Sequence, residues 1–159
     1  RQIVSLNDKL NVTFQSVYAE PFTLSMDSLI CWTNLKDKNL CYHSGEAVYE
    51  KEFNFDCKDL SKDLYLDLGN VMVMATVKLN GKYVGGVWTP PYRLRINDYI
   101  NSGNNKLQIT VVNNWMNRII GDLNLPESER KTSIIINPWK RETQLQESGL
   151  LGPVQIYCE

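Results

Sequence analysis

The sequence predicts an all-β fold, an antiparallel sandwich or barrel, on three observations. Apolar and polar residues alternate in most hydrophobic segments, as in Leu107-Gln108-Ile109-Thr110-Val111, and a period of two belongs to strands with one buried face. Asn80-Gly81 stands between two such segments. These residue types best tolerate positive φ, which a two-residue type I′ hairpin turn requires at both central positions. Turn-forming clusters recur between the segments, and helical periodicity is scarce. At 159 residues the chain can bury most of its unfolded surface in one core. It reads as a single domain over 1–159, with 1–23 as a less defined lead-in.

The elements follow in order. Residues 10–17 alternate in part through Leu10, Val12 and Phe14. Residues 46–55 set Val48 on one face and Ala47, Tyr49, Phe53 and Phe55 on the other. Leu64, Leu66 and Leu68 alternate with Tyr65 and Asp67. Val73, Ala75, Val77 and Leu79 form the first arm of the Asn80-Gly81 hairpin, and residues 82–88 return as the second. Gly85-Gly86 marks a bulge or a close approach in that arm, and Pro90-Pro91 ends it by removing backbone donors. Residues 93–97 form a short strand with Leu94 and Ile96 in phase. Ser102-Gly103-Asn104-Asn105 is a turn before the strand through Val111. Residues 133–137, with the Ile134–Ile136 run, and 154–158 complete the strands. Short helices fit only at 26–29, after the Glu20-Pro21-Phe22 break, and at 96–100. Residues 127–131 and 140–147 read as polar loops. The inner face is expected to hold Val48, Phe53, Leu66, Val77, Leu107, Ile109 and Val111.

Composition narrows the function classes. Seventeen basic and eighteen acidic residues give a net charge of −1, with no basic patch to bind nucleic acid. No apolar run approaches the roughly 20 residues of a membrane span. The chain opens on Arg1 with no signal-peptide pattern, so it is expected to be a piece excised from, or processed out of, a longer polypeptide. Cys31, Cys41, Cys57 and Cys158 lack zinc-ligand spacing. Free, largely buried thiols are expected, with two disulfides in any of three connectivities as the alternative.

The chemistry-bearing residues do not form an enzyme's constellation. Glycoside hydrolysis needs two facing carboxyl groups. Glu46, Glu52, Asp67, Asp98 and Asp122 are available, but no motif pairs them. Asp67 reads as a solvated or turn-bonding residue, and Asp122 as a turn cap or an oxygen ligand for a cation. His43 is the only histidine, and no nucleophile elbow accompanies it. The glycine-rich spots lack phosphate-loop spacing. No cofactor is called for, and a structural calcium is not indicated.

Aromatic and planar polar residues are more informative, since sugar C–H faces stack on rings while hydroxyls pair with Arg, Asn and Asp. Trp88, Tyr92, Arg93, Trp115, Asn117 and Arg118 offer both kinds within two short blocks. They form one candidate carbohydrate-binding or interdomain patch if the hairpin end lies beside the end of the 107–114 strand. The competing reading puts Trp88 and Trp115 in the core and pairs Arg93 or Arg118 internally with Asp98 or Asp122.

Several blocks carry a family resemblance. They are Tyr42-His43-Ser44-Gly45-Glu46-Ala47-Val48-Tyr49, Trp88-Thr89-Pro90-Pro91-Tyr92-Arg93, Asn113-Asn114-Trp115-Met116-Asn117-Arg118 with Gly121-Asp122, and the closing Ser148-Gly149-Leu150-Leu151-Gly152-Pro153-Val154. Spanning roughly residues 24–156, they resemble the galactose-binding-like, sugar-binding β-sandwich domain of family 2-type bacterial glycoside hydrolases, closest to the form in α-L-rhamnosidase-type enzymes. The resemblance implies a jelly-roll sandwich and a non-catalytic accessory domain. Its partners would be the catalytic domain of the same chain and an oligosaccharide. It also implies a parent hydrolase acting on plant or host glycans in a periplasmic or extracellular setting. Two alternatives accompany it: residues on the rim of the parent's active site, or a free-standing carbohydrate or protein interaction module.

Overall fold

A computed structural model describes residues 2–56, 61–133 and 138–159. Its strands are β1 (Gln2–Ser5), β2 (Leu10–Ser16), β3 (Ala19–Met26), β4 (Glu46–Phe55), β5 (Leu64–Asp67), β6 (Asn70–Met72), β7 (Met74–Leu79), β8 (Lys82–Val87), β9 (Arg93–Arg95), β10 (Gly103–Val112), β11 (Gly149–Gly152) and β12 (Gln155–Cys158). Two α-helices interrupt them, α1 (Lys38–Cys41) and α2 (Met116–Leu123). One sheet runs β3-β2-β4-β10-β7-β8, a second runs β1-β12-β5-β9, and β11 pairs with β6. The paired strands are antiparallel, and side chains from both larger sheets share one apolar core. This is the all-β sandwich read from the periodicity.

The hairpin forms as its turn chemistry dictates. Asn80 and Gly81 both take positive φ, at 54° and 79°. Asn80 also acts beyond the turn: its Nδ2 donates to Tyr99 O and Asn105 Oδ1, and its Oδ1 accepts from Lys106 N. The glycine pair does mark a bulge. Gly85 faces Val77 and Tyr83 faces Lys78, leaving Val84 as the extra residue. A Cβ on Gly85 would lie 3.0 Å from Leu94 Cδ2, so the close approach is present as well.

Phe53, Leu66, Val77, Leu107, Ile109 and Val111 are buried as expected. Val48 is not on the inner face. Ala47 and Tyr49 face inward, so alternation turns Val48 outward, opposite Thr13 and Thr110. Residues 26–29 are not a helix either. Here β3 continues to Met26 opposite Leu10, and because β3 is an edge strand Pro21 interrupts no ladder. Residues 96–100 do make a helical turn, with Tyr99 N and Ile100 N donating to Ile96 O. The expected 102–105 turn is instead the start of β10, paired with β4 from Gly103↔Phe55 onward. The strand expected at 133–137 falls mostly outside the described residues, as does Cys57. Cys31 and Cys41 are free, half-buried thiols.

Helix α2 was not foreseen. It is only eight residues long, has Gly121 in its interior, and carries too few turns for a clear 3.6-residue period. Tertiary contacts hold it. Asn114 Oδ1 accepts from Met116 N, and Ser44 Oγ accepts from Arg118 N. Ile119 and Ile120 are buried.

Candidate functional site

One row of paired residues crosses all six strands of the larger sheet: Val87, Ala75, Val111, Ala47, Phe14 and Phe22. The first five are buried, whereas Phe22 is 48% exposed. Along β3 the core covers Met26 and takes Leu24 against it, but leaves the Phe22 end uncovered. The uncovered end is a cleft of about 180 Å³. Phe14 and Leu40 supply its apolar floor, with His43 beside them. Tyr18 and Phe22 rise from the β2–β3 hairpin on one side, and Asp37, Asn39 and Arg118 come from α1 and α2 on the other.

Beneath the floor lies a close ring cluster. The ring of Phe14 meets Trp32 edge-on at 5.5 Å between centroids, and His43 meets Phe14 at 5.2 Å and Trp32 at 5.1 Å. Trp32 Nε1 donates to Tyr49 Oη at 2.7 Å, and Tyr49 Oη also accepts from Leu150 N. Burial pushes the Tyr49 phenol up to about 12. His43 Nε2 donates to Glu46 O at 2.9 Å. Burial holds this imidazole below the usual histidine value, and the Arg118 charge acts in the same direction against the Glu46 carbonyl. His43 thus spends its Nε2–H on a backbone carbonyl of the fold and packs edge-on among the buried rings.

The cleft's charged groups are less engaged. Arg118 Nη2 donates to Asn39 O at 3.1 Å, and among the described residues no carboxylate lies within ion-pair distance of its guanidinium. Asp37 uses Oδ1 to cap α1 through Asn39 N. Glu20 and Lys131 are exposed at the mouth. Lys131 is held there by Asp122, whose buried Oδ2 accepts from Lys131 N, Thr132 N and Thr132 Oγ1. Asp122 therefore fills the turn role.

The six candidate residues do not form one patch. Trp88 is exposed beside Val87 on the β8 edge. That is five strand spacings from Phe22, roughly 24 Å at 4.8 Å per strand. Tyr92 is buried, and its carbonyl accepts from Leu68 N. Arg93 donates to Tyr157 Oη at 2.7 Å, lies 5.2 Å over the Tyr65 ring and meets Glu159. Its ion-pair partner is thus Glu159, while Arg95 is the residue that meets Asp98. Trp115 turns away from Trp88 toward the cleft mouth, where its ring meets Tyr18 at 5.8 Å. Asn117 is buried, clamping Gln146 and Ser148 through three hydrogen bonds. Only Trp115 and Arg118 reach the cleft region. Tyr18, Phe22, Asp37 and Lys131 carried no sequence signal as site residues, because nothing local tells that the core covers β3 at Met26 and not at Phe22.

Asp67 caps its own turn through Gly69 N. Among the described residues no three His, Cys, Asp or Glu side chains converge as metal ligands, and no helix is long and apolar enough to cross a membrane.

Residues 27–133 match the family model described as glycosyl hydrolase 2 galactose-binding domain-like. The chain belongs to this family. Over 98% of its length it is 36% identical to a protein of Formosa agariphila provisionally named a beta-glucuronidase, covering 16% of that protein. A rhamnosidase from Novosphingobium sp. PP1Y superposes with a TM-score of 0.91 at 34% identity, over 98% of this chain and 15% of that one. A beta-glucuronidase from an uncultured Clostridium sp. shares the fold at a TM-score of 0.69 and 22% identity, over 99% of this chain and 29% of that one. The chain thus spans about a sixth of the length of the first two relatives, and each is named as a glycoside hydrolase.

Proposed function

We propose that this chain is a non-catalytic accessory domain of a glycoside hydrolase, seated against the catalytic domain of its own polypeptide. The observation that carries this reading is proportion: nearly the whole chain aligns with about a sixth of each longer relative. The parent's substrate would be a glucuronide or a rhamnoside, the two classes for which those relatives are named, and its setting extracellular or periplasmic.

The docking face is the β8 edge with the tip that follows it. Tyr83 and Trp88 are both more than half exposed, and Thr89, Pro90 and Pro91 are exposed beside them. Two successive prolines restrict the tip before contact, which lowers the ordering cost of docking. An edge strand also offers unpaired backbone groups to a neighbour. The rest of the parent, several times longer than this chain in its relatives, is the occupant that the face awaits.

Hydrogen exchange compares the isolated chain with the polypeptide that carries it. Added protection at residues 82–91 in the longer protein is expected, with no turnover of aryl glycosides by the chain alone. Equal exchange in both would remove the docking face, and turnover by the isolated chain would overturn the non-catalytic reading.

A further inference from the structure

The cleft beside Phe22 is part of a longer apolar groove at the sheet edge opposite the docking tip. We propose that this groove seats an extended segment of the same polypeptide, from outside residues 1–159. That segment inserts an apolar side chain beside Phe22 and brings a carboxylate to Arg118. The inference rests on the accessory-domain reading, which supplies the longer polypeptide, and adds a second contact to it.

Three observations point to a protein occupant. First, the β2–β3 turn is apolar where turn chemistry asks for no apolar residue. Ser16 pairs with Ala19, so Val17 and Tyr18 alone close the hairpin, and turns favour Gly, Asn, Asp, Ser and Pro. Val17 is nevertheless 82% exposed, and at that exposure it adds nothing to the core. Second, the exposed apolar groups are contiguous. The cleft floored by Phe14 and Leu40 continues past Tyr18 and Lys131 to a hollow lined by Trp115 and Ile119. Tyr18 and Trp115 meet edge-on along it. Single exposed apolar residues are ordinary, but a continuous row of them marks a contact surface. Third, Arg118 offers a charge for recognition. Its guanidinium donates to Asn39 O and meets no carboxylate among the described residues. An apolar segment that covered it without pairing it would strand a buried charge. The segment therefore carries an acidic residue, while Glu20 and Lys131 at the mouth stay in water, where pairing adds little.

A second copy of this chain is the competing occupant. Stable association of free molecules buries about 1,200–2,000 Å², more than one groove and a two-residue tip supply. A segment tethered to this chain needs far less area, because its effective concentration is on the order of millimolar. The groove is also held ready. Asn113 clamps the 43–45 turn through Gly45 N and His43 O, and Asn117 anchors α2. Walls set in advance lower the ordering cost of docking.

Hydrogen exchange of the longer polypeptide, set against the isolated chain, reads this contact at residues 14–22 and 115–119. Exchange there is expected to be about tenfold slower in the longer protein. Phe22→Asp and Arg118→Glu, each made in the longer protein, should restore the isolated-chain rate at the groove and leave residues 82–91 as they were. Circular dichroism of the same variants in the isolated chain keeps loss of contact distinct from loss of fold. A benzophenone photo-crosslinker placed at position 18 should join a peptide of the same molecule that lies outside residues 1–159 and contains Asp or Glu. Equal exchange at the groove in both proteins, or protection that survives both variants, would overturn the proposal. So would an adduct to a second molecule or to a peptide without an acidic residue. Protection at residues 82–91 alone leaves the docking face standing while this inference fails, and protection at the groove alone does the reverse.

Discussion

Phe14 and Phe22 stand directly opposite one another on β2 and β3, and one is 3% exposed while the other is 48%. The same residue type at the same height on the same face thus has two fates, one in the core and one at the rim of a cleft. Phe14→Ala should cost about 3–5 kcal/mol, as for other fully buried phenylalanines. Phe22→Ala should cost less than about 1 kcal/mol. Urea unfolding of both variants measures the contrast. Equal losses would mean that Phe22 is covered in solution and that the cleft is closed.

Tyr49 accepts from two buried donors, Trp32 Nε1 and Leu150 N. Tyr49→Phe leaves both without that acceptor and should destabilise the fold by about 1–3 kcal/mol at neutral pH. The phenol also sets an alkaline limit. Its folded pKa, about 12, lies above the ordinary value of 10.0, so the unfolded chain loses its proton first. Stability is complete below pH 10.0 and falls as the pH rises toward 12. Denaturation midpoints across that range should drop more steeply for the wild type than for the Phe variant.

The His43 imidazole shifts the other way. Burial sets its folded pKa below the ordinary 6.5, so on acidification the unfolded chain takes up the proton first. The stability it contributes is full above pH 6.5 and is lost as the pH falls toward the lower folded value. A His43→Gln variant should show a shallower loss over this acidic window. An identical slope in both proteins would assign the acid sensitivity to other groups.

Gly121 is expected to resist replacement although it lies inside a helix. Alanine would gain about 1 kcal/mol in helix propensity. Its Cβ, however, would lie 2.5 Å from Tyr42 Cγ, and overpacking of that kind costs about 1–3 kcal/mol. The clash should win, giving net destabilisation in thermal melts. Combining Gly121→Ala with Tyr42→Ala should cost less than the sum of the two single changes.

Asp122 controls the position of Lys131 at the cleft mouth. Asp122→Ala removes the acceptor for Lys131 N and both Thr132 donors, at an expected cost of about 1.5–3 kcal/mol. Amide shifts at residues 130–133 should accompany the loss. Unperturbed shifts there would show that the loop holds its position without the carboxylate.

Much of the sandwich was legible because its signals are local. Alternation from Leu107 to Val111 and the Asn80-Gly81 turn predict strand and hairpin from a few neighbouring residues. The site was legible only in fragments. Trp115 and Arg118 lie three residues apart, and a helix start carries both toward the cleft region. Trp88, from an equally conspicuous block, lies at the far edge of the sheet. Asn117, between Trp115 and Arg118 in sequence, is buried as a clamp. Val48 shows the same limit at smaller scale: its hydrophobicity suggested the core, but the phase of β4 set by Ala47 and Tyr49 turns it outward.

The sequence by itself determined that this chain is a β-sandwich of the glycosyl hydrolase 2 galactose-binding-like kind, since period, turn chemistry and the ordered blocks are written along the chain. Only the tertiary structure decided where a ligand can enter. The cleft forms at the end of β3 where the core, which covers Met26, no longer reaches Phe22. Strand number and overlap arise from pairings between segments far apart in sequence, and no short stretch of residues encodes them.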